Sequence, residues 1–118
     1  MNRLLICLIA FAAVSLYAQE RSNITVKQSE TSSGVIVVTA QYQAVTQAAA
    51  DARDTKGHFE LHCNQGVADC KAPAPGNYLM VRLPKNWGAY DCVNVDLYRA
   101  GADPDNSQKT GEYCLITK

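Results

Sequence analysis

The chain lacks an excess of charge of either sign. It carries 11 basic and 11 acidic residues among 118, so its formal net charge at pH 7 is zero. No run of four or more basic residues occurs anywhere in the sequence. Proteins that bind nucleic acid or anionic membranes need a concentrated positive surface. We therefore expect no nucleic-acid partner and no electrostatic attachment to a membrane.

Motifs for catalysis and metal binding are also missing. The sequence has no Gly-x-Ser-x-Gly elbow, no glycine-rich phosphate loop and no Cys-x₂-Cys pair of the kind that holds zinc. The acidic loop that begins at Asp103 fails the calcium-loop pattern, since Gln108 replaces the glycine and Cys114 the final glutamate. We predict a protein without a catalytic centre, a metal or a cofactor.

No apolar run is long enough to cross a bilayer. The longest, Leu4 to Val14, has roughly 11 residues, whereas a membrane-spanning helix needs roughly 20. It follows a short positive start and precedes small and then polar residues, which is the pattern of a secretory signal peptide. Cleavage after Ala18 would leave residues 19–118 as a single domain, and cleavage after Ser15 is the alternative. We predict a secreted or periplasmic protein that keeps no membrane contact after cleavage.

Four cysteines would remain after export, because Cys7 lies in the signal peptide. An even number in a small exported chain is typical of disulfides. Three pairings are open. We favour Cys63–Cys70 and Cys92–Cys114, because each pair lies at the ends of neighbouring predicted strands or loops. On the chain-entropy estimate these bonds would contribute about 2.5 and about 3.4 kcal/mol to stability.

Alternation of apolar and polar residues is the dominant pattern, and it predicts β-strands. It occurs in residues 23–28, 35–45, 58–63, 78–83, 92–98 and 111–116. Clusters of glycine, proline, asparagine and aspartate separate these segments. We predict an all-β antiparallel domain of about six strands, either a small barrel or a sandwich, stapled by two disulfides. The alanine-rich segment 46–53 leaves a short helix open as an alternative.

The same alternation predicts the side chains that face the core. They are Ile24, Val26, Ile36, Val38, Ala40, Tyr42, Phe59, Leu61, Cys63, Leu79, Val81, Leu83, Val93, Val95 and Leu97. Asn94 and Asp96 are expected to face solvent, and the first strand is expected at an edge of the sheet. His58, Glu60 and His62 share an outward face, which we interpret as solvated. A surface metal site at these three residues is the alternative.

Four side chains are candidates for contact with a partner. Trp87, the single tryptophan, lies in a predicted turn close to Tyr90, and aromatic side chains dominate the energetics of interfaces. Packing of Trp87 over one end of the core is the competing interpretation. Val67 and Asp69 lie in the loop closed by Cys63 and Cys70, and a loop held at both ends is preorganised for binding. A plain capped hairpin end is the alternative for that loop.

The predicted function is the binding of an unknown protein or small ligand, without catalysis. One alternative is a protein inhibitor that inserts the Cys63–Cys70 loop into an extracellular hydrolase. The other is a small hydrolase with Glu60 and Asp69 as paired carboxylates, which would require them to lie about 5–9 Å apart.

Short motifs in the second half of the chain carry a resemblance. They are Leu61-x-Cys63, Cys70, Pro75-Gly76-x-Tyr78 and Gly111-Glu112-Tyr113-Cys114. Together they resemble a group of small exported bacterial proteins of uncharacterised function. The resemblance implies an exported, cysteine-stapled domain, and it implies no activity and no site residue.

Overall fold

The computed structural model describes residues 20–43 and 57–116, which form a closed barrel of six antiparallel strands. The strands are β1 (Arg21–Ser32), β2 (Val35–Tyr42), β3 (His58–Asn64), β4 (Gly76–Arg82), β5 (Val93–Arg99) and β6 (Gly111–Ile116). Their order around the barrel is β1-β2-β3-β6-β5-β4. The predicted all-β fold is confirmed, as a barrel rather than a sandwich. The predicted signal peptide, Cys7, the end of the second predicted strand and the alternative helix over 46–53 lie outside the described residues.

Strand β1 closes the barrel, because residues 21–26 pair with β4 on one side and residues 24–32 pair with β2 on the other. The expectation of a short edge strand that ends at Gln28 is therefore wrong. A bulge between Val26 and Gln28 bends the strand, and the polar residues beyond it continue the ladder with β2 to Ser32. Ser33 and Gly34, both with positive φ, then form the tight hairpin turn.

The barrel interior is filled by apolar side chains. Its core consists of Ile24, Val26, Ile36, Val38, Ala40, Tyr42, Phe59, Leu61, Cys63, Met80, Val95, Leu97, Tyr113 and Leu115. The predicted inward faces of β2 and β3 are confirmed, as are Ile24 and Val26 on β1. Val95 and Leu97 on β5 are also inside, whereas Val93, at the start of that strand, is exposed.

The predicted face of β4 is wrong. Tyr78 and Met80 pack against the core, and Leu79 and Val81 lie on the outer face. Four consecutive apolar residues give no period from which to choose a face, so the pairing decides. Met80 lies opposite the core residue Leu97 of β5. Val81 lies opposite Asp96 and is nevertheless buried, which shows that the outer face is covered here.

The connection between β3 and β4 crosses one end of the barrel. The hydroxyl of Tyr113, whose side chain lies in the interior, donates a hydrogen bond of 2.6 Å to the carbonyl oxygen of Lys71. Ser29 Oγ donates to the carbonyl oxygen of Pro73 at 3.1 Å. Burial raises the pKa of the Tyr113 hydroxyl, so this group remains a donor. The crossing segment is therefore attached from inside the barrel as well as from its rim.

We predict that Tyr113→Phe lowers the free energy of unfolding by about 1–2 kcal/mol, because it leaves the Lys71 carbonyl group without its buried donor. Urea unfolding under non-reducing conditions measures the change. Tyr78→Phe is the matched control, since the Tyr78 hydroxyl donates to the Ala74 carbonyl at 2.7 Å in an exposed position. The control should lose clearly less stability, and equal losses in the two variants would contradict the prediction.

Candidate contact surface

The outer face of β5 carries polar side chains that are buried. Asn94 is 3 % exposed and Asp96 is 7 % exposed. Both side chains lie on the outer face of β5, as predicted, but the prediction that they are exposed to solvent is wrong. Residues 84–92, which we call the tryptophan loop, fold back over this face and are attached to it. Buried polar groups need hydrogen-bond partners, and the loop backbone supplies them to Asn94.

Asn94 fixes the tryptophan loop through three hydrogen bonds. Its Oδ1 accepts from the Tyr90 N–H at 2.9 Å, and its Nδ2 donates to the carbonyl oxygens of Tyr90 and Cys92 at 2.7 and 3.1 Å. The loop approaches so closely that a Cβ on Gly88 would overlap the Asn94 side chain. Gly88 also has a φ of +95°, which favours glycine. The loop backbone is therefore held in one conformation.

Glu112 on β6 connects the tryptophan loop to the disulfide loop (residues 64–70). Its carboxylate accepts a hydrogen bond of 2.8 Å from the Ala89 N–H. Its own backbone N–H donates to the carbonyl oxygen of Asp69 at 2.9 Å. Tyr90 adds a second connection, since its hydroxyl accepts from the Asn64 N–H at 3.2 Å. The two loops that contain the four candidate contact residues therefore meet at the outer face of β6.

The four candidates have different surroundings. Trp87 is 62 % exposed, so it does not cover an end of the core. Tyr90 is half-buried and packs against the core, which makes it an anchor of the loop. Val67 is half-buried, and Asp69 is exposed beside Lys109 at 3.9 Å. Only Trp87 offers a large apolar side chain to a partner.

A cleft of about 540 Å³ lies beneath the tryptophan loop. Leu83, Lys85, Tyr90 and Val93 are among the residues that line it. Val93, 39 % exposed, and Trp87 are the exposed large hydrophobic residues in the described part of the chain. Both therefore lie at or beside the same loop, and the surface there combines an apolar side chain with a recess.

A group of charged side chains borders the disulfide loop. Lys109 Nζ lies 3.2 Å from Glu112 Oε2, 3.7 Å from Asp96 Oδ1 and 3.9 Å from Asp69 Oδ2. Asp96 Oδ1 is buried and accepts no hydrogen bond within residues 20–43 and 57–116. Loss of hydration on burial raises the pKa of Asp96, and the neighbouring Lys109 lowers it by less. The group thus places one ammonium among three carboxylates.

Both predicted disulfides are present. Cys63–Cys70 closes the disulfide loop, and Cys92–Cys114 attaches the end of the tryptophan loop to β6. Disulfides persist in oxidising compartments, so they indicate a non-reducing environment. The described residues include no helix with the length and apolar character needed to span a membrane.

The remaining candidate groups have their own contacts. Glu60 is bonded to His62 at 3.0 Å on the outer face of β3, whereas Asp69 contacts Lys109. The two carboxylates suggested for hydrolysis thus belong to separate contact groups. Within the described ranges no cluster of three or more histidine, cysteine or acidic side chains is arranged to hold a metal ion.

Sequence reasoning missed the roles of Asn94, Lys109 and Glu112. Alternation assigns Asn94 and Asp96 to the outer face, but it carries no information about a loop that covers that face. The pairing of Asp96 with Glu112 depends on the β5–β6 register, which a long connecting loop leaves undetermined. The closeness of Gly88 to Asn94 in sequence was the one local signal of a tight approach.

Comparison with known proteins identifies no relative. No family model, no curated protein and no solved structure matches the chain.

We predict that Asp96→Asn gains stability relative to the original protein as the pH rises above 3.8, the ordinary pKa of this group. A raised pKa means that the folded protein holds this proton to higher pH than the unfolded chain does. Ionisation therefore costs stability between 3.8 and the folded pKa, and the variant avoids that cost. Unfolding free energies of both proteins from pH 3 to pH 7 measure the difference.

Asp103→Asn is the control with the opposite sign. Hydrogen bonds from the Asn106 side chain and the Asp105 N–H lower the pKa of Asp103. The ionised form is therefore favoured by folding, and this variant should lose relative stability as the pH rises from the lowered pKa towards 3.8, at the acidic end of the range and below the window of Asp96. Equal pH trends in the two variants would contradict the assignment.

Proposed function

We propose that the protein is a binding domain whose contact surface is centred on Trp87 and the adjoining cleft. The observation that carries the proposal is an exposed tryptophan on a loop whose backbone is fixed by buried groups. Asn94, Glu112 and the Cys92–Cys114 bond provide that fixation. The function is recognition of a protein or small ligand, and no catalytic step is part of it.

Order in the tryptophan loop before binding lowers the entropic cost of binding. Single exposed hydrophobic residues are common and carry little information by themselves. A tryptophan on a loop that is already ordered is different, because little conformational entropy is lost when a partner covers it. Tryptophan is also enriched among residues that dominate binding energy. The recess of about 540 Å³ beside it would accept an apolar group of the partner.

We also infer that the protein acts outside the cytoplasm, as a secreted or periplasmic domain. The two disulfides support this compartment. The basic, apolar and small-residue pattern of residues 1–18 supports export through a signal peptide. The mass of the protein recovered from the exporting cell would test cleavage after Ala18 or Ser15.

We predict that Trp87→Ala weakens partner binding at least tenfold, which is the size of effect expected for a central interface side chain. Immobilised original protein and variant would be exposed to the same extracellular or periplasmic fraction, and the recovered partner would then be titrated against both. Lys27→Ala, an exposed change on β1, is the matched control and should bind normally. A partner that binds Trp87→Ala and the original protein equally would refute this surface.

Asn94→Ala tests the contribution of loop order. It removes the three hydrogen bonds that hold the loop and keeps the tryptophan. If preorganisation matters, the affinity should fall while hydrogen exchange at the Tyr90 amide becomes faster. Unchanged affinity despite faster exchange would contradict the argument from loop order.

The disulfide loop supports a second candidate, inhibition of an extracellular hydrolase. Besides its covalent closure, it has internal bonds from the Val67 N–H to the Asn64 carbonyl at 2.9 Å and from the Cys70 N–H to the Val67 carbonyl at 3.3 Å. Asp69 has a φ of +64°, and its carbonyl is held by β6. A loop of this kind keeps its shape when it enters a cleft.

We predict for this candidate that Val67→Ala raises the inhibition constant against a susceptible hydrolase about tenfold, through lost contact area. A panel of extracellular glycosidases and proteases supplies the assay, and Trp87→Ala is the control that should inhibit normally. Loss of inhibition in Trp87→Ala with none in Val67→Ala would assign the activity to the tryptophan loop instead.

A further inference from the structure

A second recess lies at the other end of β5, away from the tryptophan loop. It measures about 790 Å³ and is formed by the connection between β5 and β6 together with Lys71. Its polar lining comes from Lys71, Arg99, Ser107, Gln108, Lys109 and Thr110, and the remaining lining residues are alanine and glycine. No acidic residue lines it, although the whole chain has equal numbers of acidic and basic residues. We call it the basic groove.

We propose that the basic groove binds a compact tetrahedral oxyanion, a phosphate or sulfate ester carried by a small molecule. A guanidinium group offers a planar fork of donors that matches such an anion, and a lysine ammonium adds a second charge. Hydroxyl groups of Ser107 and Thr110 provide neutral donors at the same wall. This site is separate from the contact surface proposed above and does not depend on it.

Among residues 20–43 and 57–116, the two cations that carry the proposal have no competing partner. The side chains of Lys71 and Arg99 form no hydrogen bond or ion pair with the residues that the structure describes, and both are exposed. Surface cations are commonly compensated by nearby carboxylates, as Arg82 is by Glu20 at 3.8 Å. Two uncompensated cations that line one recess give a local positive potential, which attracts an anion.

Lys109 explains why the ligand should be compact. Lys109 lines the groove, but its ammonium lies within 4 Å of carboxylate oxygens of Glu112, Asp96 and Asp69, so its charge is already paired. Asp69 remains about half exposed at that flank. A long polyanion that extended past Lys109 would meet this carboxylate and be repelled. An ester with one anionic group would contact the cations Lys71 and Arg99 and the neutral donors of the groove without reaching this carboxylate.

The test is a titration of the ¹⁵N-labelled full chain followed by amide chemical shifts. Glucose 6-phosphate and glucose 6-sulfate are the anionic probes, and glucose is the neutral match. We expect saturable shifts with the anionic probes at Gly101, Gln108 and Thr110, and none with glucose. The relative affinity of the two esters distinguishes a phosphate ligand from a sulfate ligand.

The double variant Lys71→Gln with Arg99→Gln should weaken binding at least tenfold, about the effect of losing one charge-assisted hydrogen bond. Lys85→Gln, which removes a cation that lines the other cleft, should leave the affinity unchanged. All three positions are exposed, so the amide spectrum should confirm an intact fold. Equal weakening by the control, undiminished binding by the double variant, or no saturable shift would overturn the proposal.

Discussion

The structure depends on closure of the barrel by the pairing of β1 with β4. Closure gives every described strand a neighbour on both sides, although the part of β1 beyond Val26 pairs with β2 alone. A six-stranded barrel is narrower than an eight-stranded one, whose interior is just wide enough for side chains. Fourteen of the described side chains fill this interior. The filled interior is why both surfaces that we propose for binding lie on the outer face and the loops.

Three successive residues of β6 connect those loops to the barrel. Glu112 points outward and binds the tryptophan loop through the Ala89 N–H. Tyr113 points inward and binds the segment that crosses the barrel end. Cys114 points outward again and forms the bond to Cys92. Successive side chains of a strand point to opposite faces. Residues 112–114 can therefore hold the β3–β4 connection from inside the barrel and the tryptophan loop from outside it.

The sequence predicted most of the fold and less of the site. Alternation located six strands because it is a local feature, and the position of each cysteine pair at the ends of neighbouring predicted strands or loops favoured the correct disulfides. The face of β4 could not be read from Tyr78-Leu79-Met80-Val81, where both faces are apolar. The burial of Asn94 and Asp96 was likewise hidden, since a covering loop is a tertiary feature. Trp87 stays a predicted contact residue, and only the structure distinguishes its exposure from packing over the core.

The two proposed surfaces follow one physical rule. In each surface, an exposed side chain that we propose for binding lies near a second side chain that is already paired within the protein. The second side chain belongs to β5 or to the connection between β5 and β6. Asn94 fixes the loop backbone, so Trp87 need not pack against the protein to be ordered. Lys109 pairs with the nearby carboxylates, whereas Lys71 and Arg99 form no ion pair within the described residues. Because Asn94 and Lys109 form these contacts within the protein, Trp87, Lys71 and Arg99 are exposed at the surfaces that we propose for ligands.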